Sequence, residues 1–233
     1  MTAFIDAIQW IFDGNNWGGT RGIGQLAVQQ ILLTVTALAI SVVFGLPLAL
    51  WLGHIGKGGF AAINISNVGR AIPVYAALLI LALGPIGSGY FGPFGRAGLA
   101  TLIALVLFAL PPIITNAYVG MREVDRDIVE AARGMGMNGM QVFRGVELPL
   151  ALPVILTGVR LALVQVWATA TIAALVAGPG LGYIITRGFL NHHTDEVVAG
   201  AILVAVGALL FEGMAVLAER YGDPMRKVPA GGS

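Results

Sequence analysis

Three kinds of side chain in this sequence could do chemistry, and each is placed where the chemistry is incomplete. "HHTDE", His192 to Glu196, brings together imidazoles and carboxylates, which are metal-ligand types. It stands in a polar stretch between apolar runs, where such residues are expected anyway, so no metal site is assigned. "GMGMNG", Gly134 to Gly139, has the spacing G-x-G-x-x-G. That fingerprint cradles a pyrophosphate only between a strand and a helix, and no strand precedes it. "GHIGKGGF" around Lys57 lacks the spacing and the hydroxyl of a phosphate loop. No nucleophile, base and orienting group can be assembled, so no catalytic residue is assigned and the chain is not read as an enzyme.

Polar residues inside the apolar runs are the second candidates. Arg160 and Glu212 interrupt two such runs, and a charge within a membrane-spanning helix pairs, snorkels or serves a transport route. An Arg160–Glu212 ion pair and direct contact with a solute both remain open. Thr115, Asn116, Gln165, Thr169 and Thr171 either hydrogen-bond neighbouring helices or face a water-filled pathway. Pro111 and Pro112 are expected to break their helix and free carbonyls near Thr115 and Asn116.

The elements that hold these residues follow from composition. Of 233 residues, 57% are hydrophobic and 11% charged, and the mean hydropathy is +0.86. This leaves too little polar surface for a water-soluble globule, so the chain belongs in a bilayer. A net charge of +1 gives no nucleic-acid footprint, and the absence of cysteine removes disulfides and thiolate sites. A spanning helix needs about 20 apolar residues. Runs of that order cover Gly22 to Gly56, Ala71 to Gly95, Ala97 to Met121, Leu161 to Thr186 and Val197 to Ala218. An all-α integral membrane protein with five spans is expected, preceded by a short interfacial helix that carries Phe4, Ile5, Ile8, Ile11 and Phe12.

Five spans place the two termini on opposite sides. With the N-terminus outside, Lys57, Arg70, Arg122, Arg126, Arg133, Arg144, Arg220, Arg226 and Lys227 lie in the cytoplasm, against Arg21, Arg96 and Arg187 outside. Nine against three favours N-terminus out and C-terminus in. The expected organisation is an extracytoplasmic or interfacial segment over 1–24, a transmembrane domain over 25–219 and a cytoplasmic tail over 220–233. The cytoplasmic loop 122–148 is the longest polar connection.

That loop reads "EAARGMGMNGMQVFRGVELPLALP" from Glu130 to Pro153. Ile128, Ala131, Ala132 and Met135 recur at helical spacing, too short and too polar to span. Gly134, Gly136 and Gly139 let the chain bend, and Pro149 and Pro153 restrict where the next span begins. The segment resembles the loop signature of the permeases of binding-protein-dependent ABC importers: E-A-A, three residues, G, nine residues, then I-x-L-P. Here Glu130, Ala131, Ala132, Gly136, Leu148 and Pro149 match, and Val146 replaces the isoleucine. Within that family, "RAIPVYAALLILALG" and "VELPLALPVILTGVRLALVQVWATATIAALVAGPGLGYII" look most like permeases for glycine betaine, choline, carnitine and related osmoprotectants.

The resemblance implies the type I importer fold and a place in the bacterial or archaeal plasma membrane. It also implies a set of partners: a second permease subunit, identical or homologous, two ATPase subunits that bind ATP and Mg, an extracytoplasmic binding protein, and lipid. It implies that Glu130, Ala131, Ala132, Met135 and Gly136 form a coupling helix that docks in a groove of the ATPase. An importer for amino acids or another small polar solute shares the signature, while an ATP-independent channel or secondary transporter needs neither partner. Phe108, Tyr118 and Trp167 are too scattered for a cage around a quaternary ammonium, so selectivity is expected to rest mainly with the binding protein.

Overall fold

The computed structural model describes residues 2–59, 63–64, 72–87 and 89–222. Arg70, Ala71, Arg226, Lys227 and the tail beyond Gly222 lie outside them. The described chain is helical, without a strand, and its helices are α1 (Thr2–Phe12), α2 (Ile23–Ile55), α3 (Val74–Leu83), α4 (Gly98–Arg122), α5 (Arg126–Gly134), α6 (Gly139–Val142), α7 (Leu148–Ala173), α8 (Gly182–Leu190) and α9 (Thr194–Gly222). A π turn, Phe143–Glu147, joins α6 to α7 without a break. Among the described residues four helical stretches are long and apolar enough to cross a bilayer: α2, α4, the α6–α7 rod and α9.

α2, α4 and α7 form the centre. Leu33 and Ala37 of α2, Leu105, Ala109 and Ile113 of α4, and Ala162, Val166 and Ala170 of α7 make one buried cluster. Lipid supplies no hydrophobic drive between helices, so close backbone approach has to do the work. Gly158 of α7 shows it: a Cβ there would lie 2.5 Å from the Asn116 Cβ and 2.9 Å from the Pro112 carbonyl oxygen. α9 lies at the periphery, and its most apolar stretch contains no buried residue.

α2 and α4 run in the same direction. Their starts meet around Gln29 and Gly95, and their ends meet where Gly53 faces Met121. The chain between them therefore returns from one end of the bundle to the other. α7 runs back against both, from Glu147 beside His54 to Thr171 beside Gln30. α9 runs forward again, bringing Glu219 to Arg160.

Three sequence expectations change here. The run Ala71 to Gly95 contains only ten α-helical residues among those described, Val74–Leu83, or about 15 Å of rise against a hydrocarbon core of about 30 Å. Freedom from charge does not make helix where Gly84, Gly87 and Gly89 follow. The run Leu161 to Thr186 is likewise not one span, because the rod ends at Val176 and the chain turns through Gly178 to Gly180 before α8. The span starts far earlier than expected, and Pro149 and Pro153 lie inside continuous helix rather than at its origin.

Pro111 and Pro112 do not break α4, which is continuous from Gly98 to Arg122. Proline removes an N–H and so deprives the carbonyl four residues earlier. The affected acceptors are those of Leu107 and Phe108, about two turns away from Thr115 and Asn116. The N-terminal segment forms α1 as expected, with Phe4, Ile5 and Phe12 exposed and Trp10 packed beside Trp167 and Ile184.

Candidate functional site

α5 is capped at both ends by its own sequence. Asp125 Oδ1 accepts from the Asp127 N–H at 2.9 Å, and Asp127 and Arg133 put opposite charges at the two dipole ends that favour them. At its C-terminus the Gly136 N–H reaches the Arg133 carbonyl at 2.9 Å and the Met137 N–H reaches that of Ala132 at 3.2 Å. This is a Schellman motif, which needs a left-handed residue at Gly136. Its φ is +87°, and nothing lies within 4 Å of a Cβ built there. Glycine is thus favoured by backbone conformation, and the space around it is open.

The helix separates the two alanines of the signature. Ala132 is buried with Val129 in a cluster that includes Met121, Val142 and Ile155, and so seats α5 on the bundle. Ala131 faces out with Glu130, Gly136, Ile128 and Met135, and Met135 is 78% exposed. Ile128, Ala131 and Met135 make an uncovered apolar stripe at spacings of three and four.

Next to this loop is a contact that sequence reasoning missed. His54, at the end of α2, pairs through Nδ1 with Glu147 Oε2 in the π turn. The imidazole meets the Phe143 ring edge-on at 5.4 Å. Glu147 is 7% exposed, so the pair ties α2 to the segment that follows α5. The available signal was a lone histidine at one helix end and a glutamate directly before the Leu-Pro of the loop signature.

Arg160 stands between two carboxylates of α9. Its Nη1 donates to Glu219 Oε2 at 2.9 Å, its Nε lies 3.7 Å from Glu212 Oε1, and Thr157 Oγ1 donates to Glu219 Oε1 at 3.2 Å. Glu219 is therefore the nearer partner, and it was not singled out in the sequence. All three charged side chains are a quarter or more exposed.

The five polar residues expected to bond neighbouring helices or to face a pathway lie on α4 and α7. Asn116 Nδ2 donates to the Pro112 carbonyl at 2.8 Å, and the Thr115 hydroxyl is buried without a partner. Gln165 is half-buried and Thr169 buried on α7. Thr171 Oγ1 donates to the Trp167 carbonyl at 3.2 Å and accepts from Gln30 Nε2 at 3.0 Å. Gln30 also went unnoticed in the sequence. Fully buried, it donates to the Trp167 carbonyl at 3.1 Å and accepts from the Leu181 N–H at 3.1 Å. Trp167 is a packing residue, with its ring 4.8 Å from Phe211 and its Nε1 donating to the Val204 carbonyl at 3.0 Å.

At "HHTDE" the ionic contacts are structural in form. Arg187 Nε donates to Glu196 Oε2 at 2.8 Å, and His193 Nδ1 is 3.9 Å from Asp195 Oδ1. Among the described residues no group of three metal-ligating side chains forms.

Residues 41–220, which include α5, the His54–Glu147 pair and Arg160 with its two carboxylates, match the family described as the binding-protein-dependent transport system inner membrane component. The chain belongs to this family. It is a multi-pass membrane permease component. The permease is 31% identical over 84% of its length to the choline transport system permease protein OpuBB of Bacillus subtilis, covering 86% of that protein. It is 33% identical over 85% of its length to the carnitine transport permease protein OpuCD of Listeria monocytogenes, covering 85% of it. A solved structure of the MetNI methionine ABC transporter in an inward-facing conformation shares the fold, with a TM-score of 0.72, 21% identity, and coverage of 85% of the permease and 95% of that chain.

Proposed function

We propose that this permease is the membrane subunit of an ATP-driven importer of osmoprotectants such as glycine betaine, carnitine and choline. It would supply half of the translocation pathway beside a second permease chain, with two ATPase subunits that hold ATP and Mg and an extracytoplasmic binding protein. The reading of the solute rests on what the relatives are named for. The reading of the mechanism rests on one observation: α5 is anchored by Val129 and Ala132 while Glu130, Ala131, Met135 and Gly136 remain uncovered. A short amphipathic helix held by one face and bare on the other is built to enter a groove.

Five crossings with the N-terminus outside remain the proposed topology. The parallel course of α2 and α4 supports it, since the intervening chain has to return across the bilayer. So does the charge count of nine against three.

Because the chain lacks cysteine, introduced thiols report cleanly. A cysteine at Asn138 is expected to label only from the cytoplasm and one at Asn191 only from outside; the reverse would overturn the topology and the coupling role together. Ala131→Arg is expected to abolish copurification of the ATPase and ATP-dependent betaine uptake while the permease still inserts. Uptake by the reconstituted complex that proceeds equally without ATP would sink the importer reading.

A further inference from the structure

The end of the bundle opposite α5 holds a cavity of about 340 Å³, whose polar lining includes Arg21, Gln29, Tyr90, Arg96 and Tyr183. From Gln29 to His54, α2 rises about 38 Å, so this cavity is remote from the coupling end. Among the described residues no acidic side chain lines it. Tyr90 and Arg96 are opposed in an isolated antiparallel bridge, closed by the Phe91 N–H on the Gly95 carbonyl at 2.9 Å and the Ala97 N–H on that of Gly89 at 3.1 Å. Residues opposed in this way put their side chains on one face. Arg96 has no described carboxylate partner, and Arg21 lies 5.4 Å from the Tyr183 ring.

Gln29 points to a ligand independently. It is 8% exposed and lines the cavity, yet its amide makes no hydrogen bond among the described residues. Neither of its polar atoms is among those sealed from solvent without a partner. Gln30, the next residue, has every amide contact made. Buried amides are normally paired, so Gln29 presents donors to the cavity. α2, α4 and α8 begin beside it, each without an acidic residue in its first turn or a side-chain cap. Three positive dipole ends therefore add to two guanidinium groups.

We infer that this cavity receives the carboxylate of a zwitterionic quaternary-ammonium solute, an assignment that rests on the osmoprotectant reading. Arg96 and Arg21 hold the carboxylate, whose planar pair of oxygens suits a guanidinium fork. The Gln29 amide donates to it as well. The Tyr183 face is taken by Arg21, which leaves the exposed ring of Tyr90 for the methylated ammonium. The cavity is near the lower limit for small-molecule sites, in keeping with a compact solute. The consequence is selectivity within the permease itself: betaine and carnitine carry the carboxylate that the arginines need, and choline does not.

The test uses Thr20→Cys, at the cavity wall, in the complex with its ATPase subunits in lipid. Alkylation by a neutral maleimide is timed with glycine betaine, carnitine, choline or acetate, and uptake by the unaltered complex is measured alongside. Betaine, carnitine and, more weakly, acetate are expected to slow alkylation while choline does not. Arg96→Gln is expected to weaken betaine protection about tenfold, with Arg96→Lys intermediate. Equal protection by choline, protection that survives loss of both arginines, or no protection by any solute would overturn the proposal. So would protection by the solute-free binding protein alone, which would assign the arginines to docking. If the complex imports none of the three solutes, the osmoprotectant reading falls, and acetate protection still decides the carboxylate site.

Discussion

α7 carries two polar clusters about 10 Å apart along its axis, and they are built in opposite ways. At Trp167 and Thr171 the helix is joined to α2 and to the turn before α8 by Gln30, which is neutral, fully buried and bonded at both ends of its amide. At Thr157 and Arg160 it is joined to α9 by one cation and two carboxylates, all partly exposed. A neutral amide with fixed donors and acceptors admits one arrangement of three elements. A charged group with two acceptors of the same sign at different heights keeps a partner when one helix slides. The difference places the rigid joint at the centre of the bundle and the adjustable one at the peripheral helix, α9.

Breaking the rigid joint should cost most. Gln30→Leu is expected to destabilise the permease in detergent by about 2 kcal/mol, from three contacts at roughly 0.6 kcal/mol each. A thermal melt no lower than that of Arg160→Met would remove the contrast between the clusters. Arg160→Met comes next, at about 1.5 kcal/mol, because it sets Glu212 and Glu219 side by side without a cation while solvent screens part of the repulsion. Glu219→Gln should then cost more than Glu212→Gln, given contacts of 2.9 Å and 3.7 Å. A double-mutant cycle with no coupling between Arg160 and Glu219 would show the adjustable joint to be idle. The smallest effect belongs to neither joint: Gly136→Ala should cost about 1 kcal/mol through its left-handed backbone, read as weaker ATPase association, with Gly136→Asn recovering part of the loss.

The family, the helical class and the position of α5 were legible because they depend on local order: apolar runs, a charge bias, and a signature from Glu130 to Pro149. Helix boundaries were less so. A run without charges marks what can enter lipid, and it does not distinguish helix from the glycine turns at Gly84 to Gly95 or Gly178 to Gly180. Partners across the fold were least legible. Glu212 was chosen for Arg160 because it interrupts an apolar run, whereas Glu219 sits one turn from the helix end and looked like ordinary boundary charge. Gln29 and Gln30 are adjacent and chemically identical, and only the packing of α2 turns one toward a cavity and the other toward α7. For His54 and Glu147 the sequence offers a lone histidine at a helix end and a glutamate before Leu-Pro, and neither position identifies the other as its partner.

The π turn at Phe143–Glu147 has a consequence for rotational phase. At about 100° per residue, the nine steps from Val142 to Ala151 would set the two side chains half a turn apart on a regular helix. Both are buried in the same cluster as Val129 and Ala132. One residue absorbed by the wide turn brings them back to within about 80°. The wide turn is thus a phase corrector between the foot of the rod, which seats α5, and the shaft, which meets α4. Deleting Gly145 should therefore leave eight regular steps at the same phase, with foot and shaft keeping their faces, whereas an added residue that no wide turn absorbs would turn one of them to lipid.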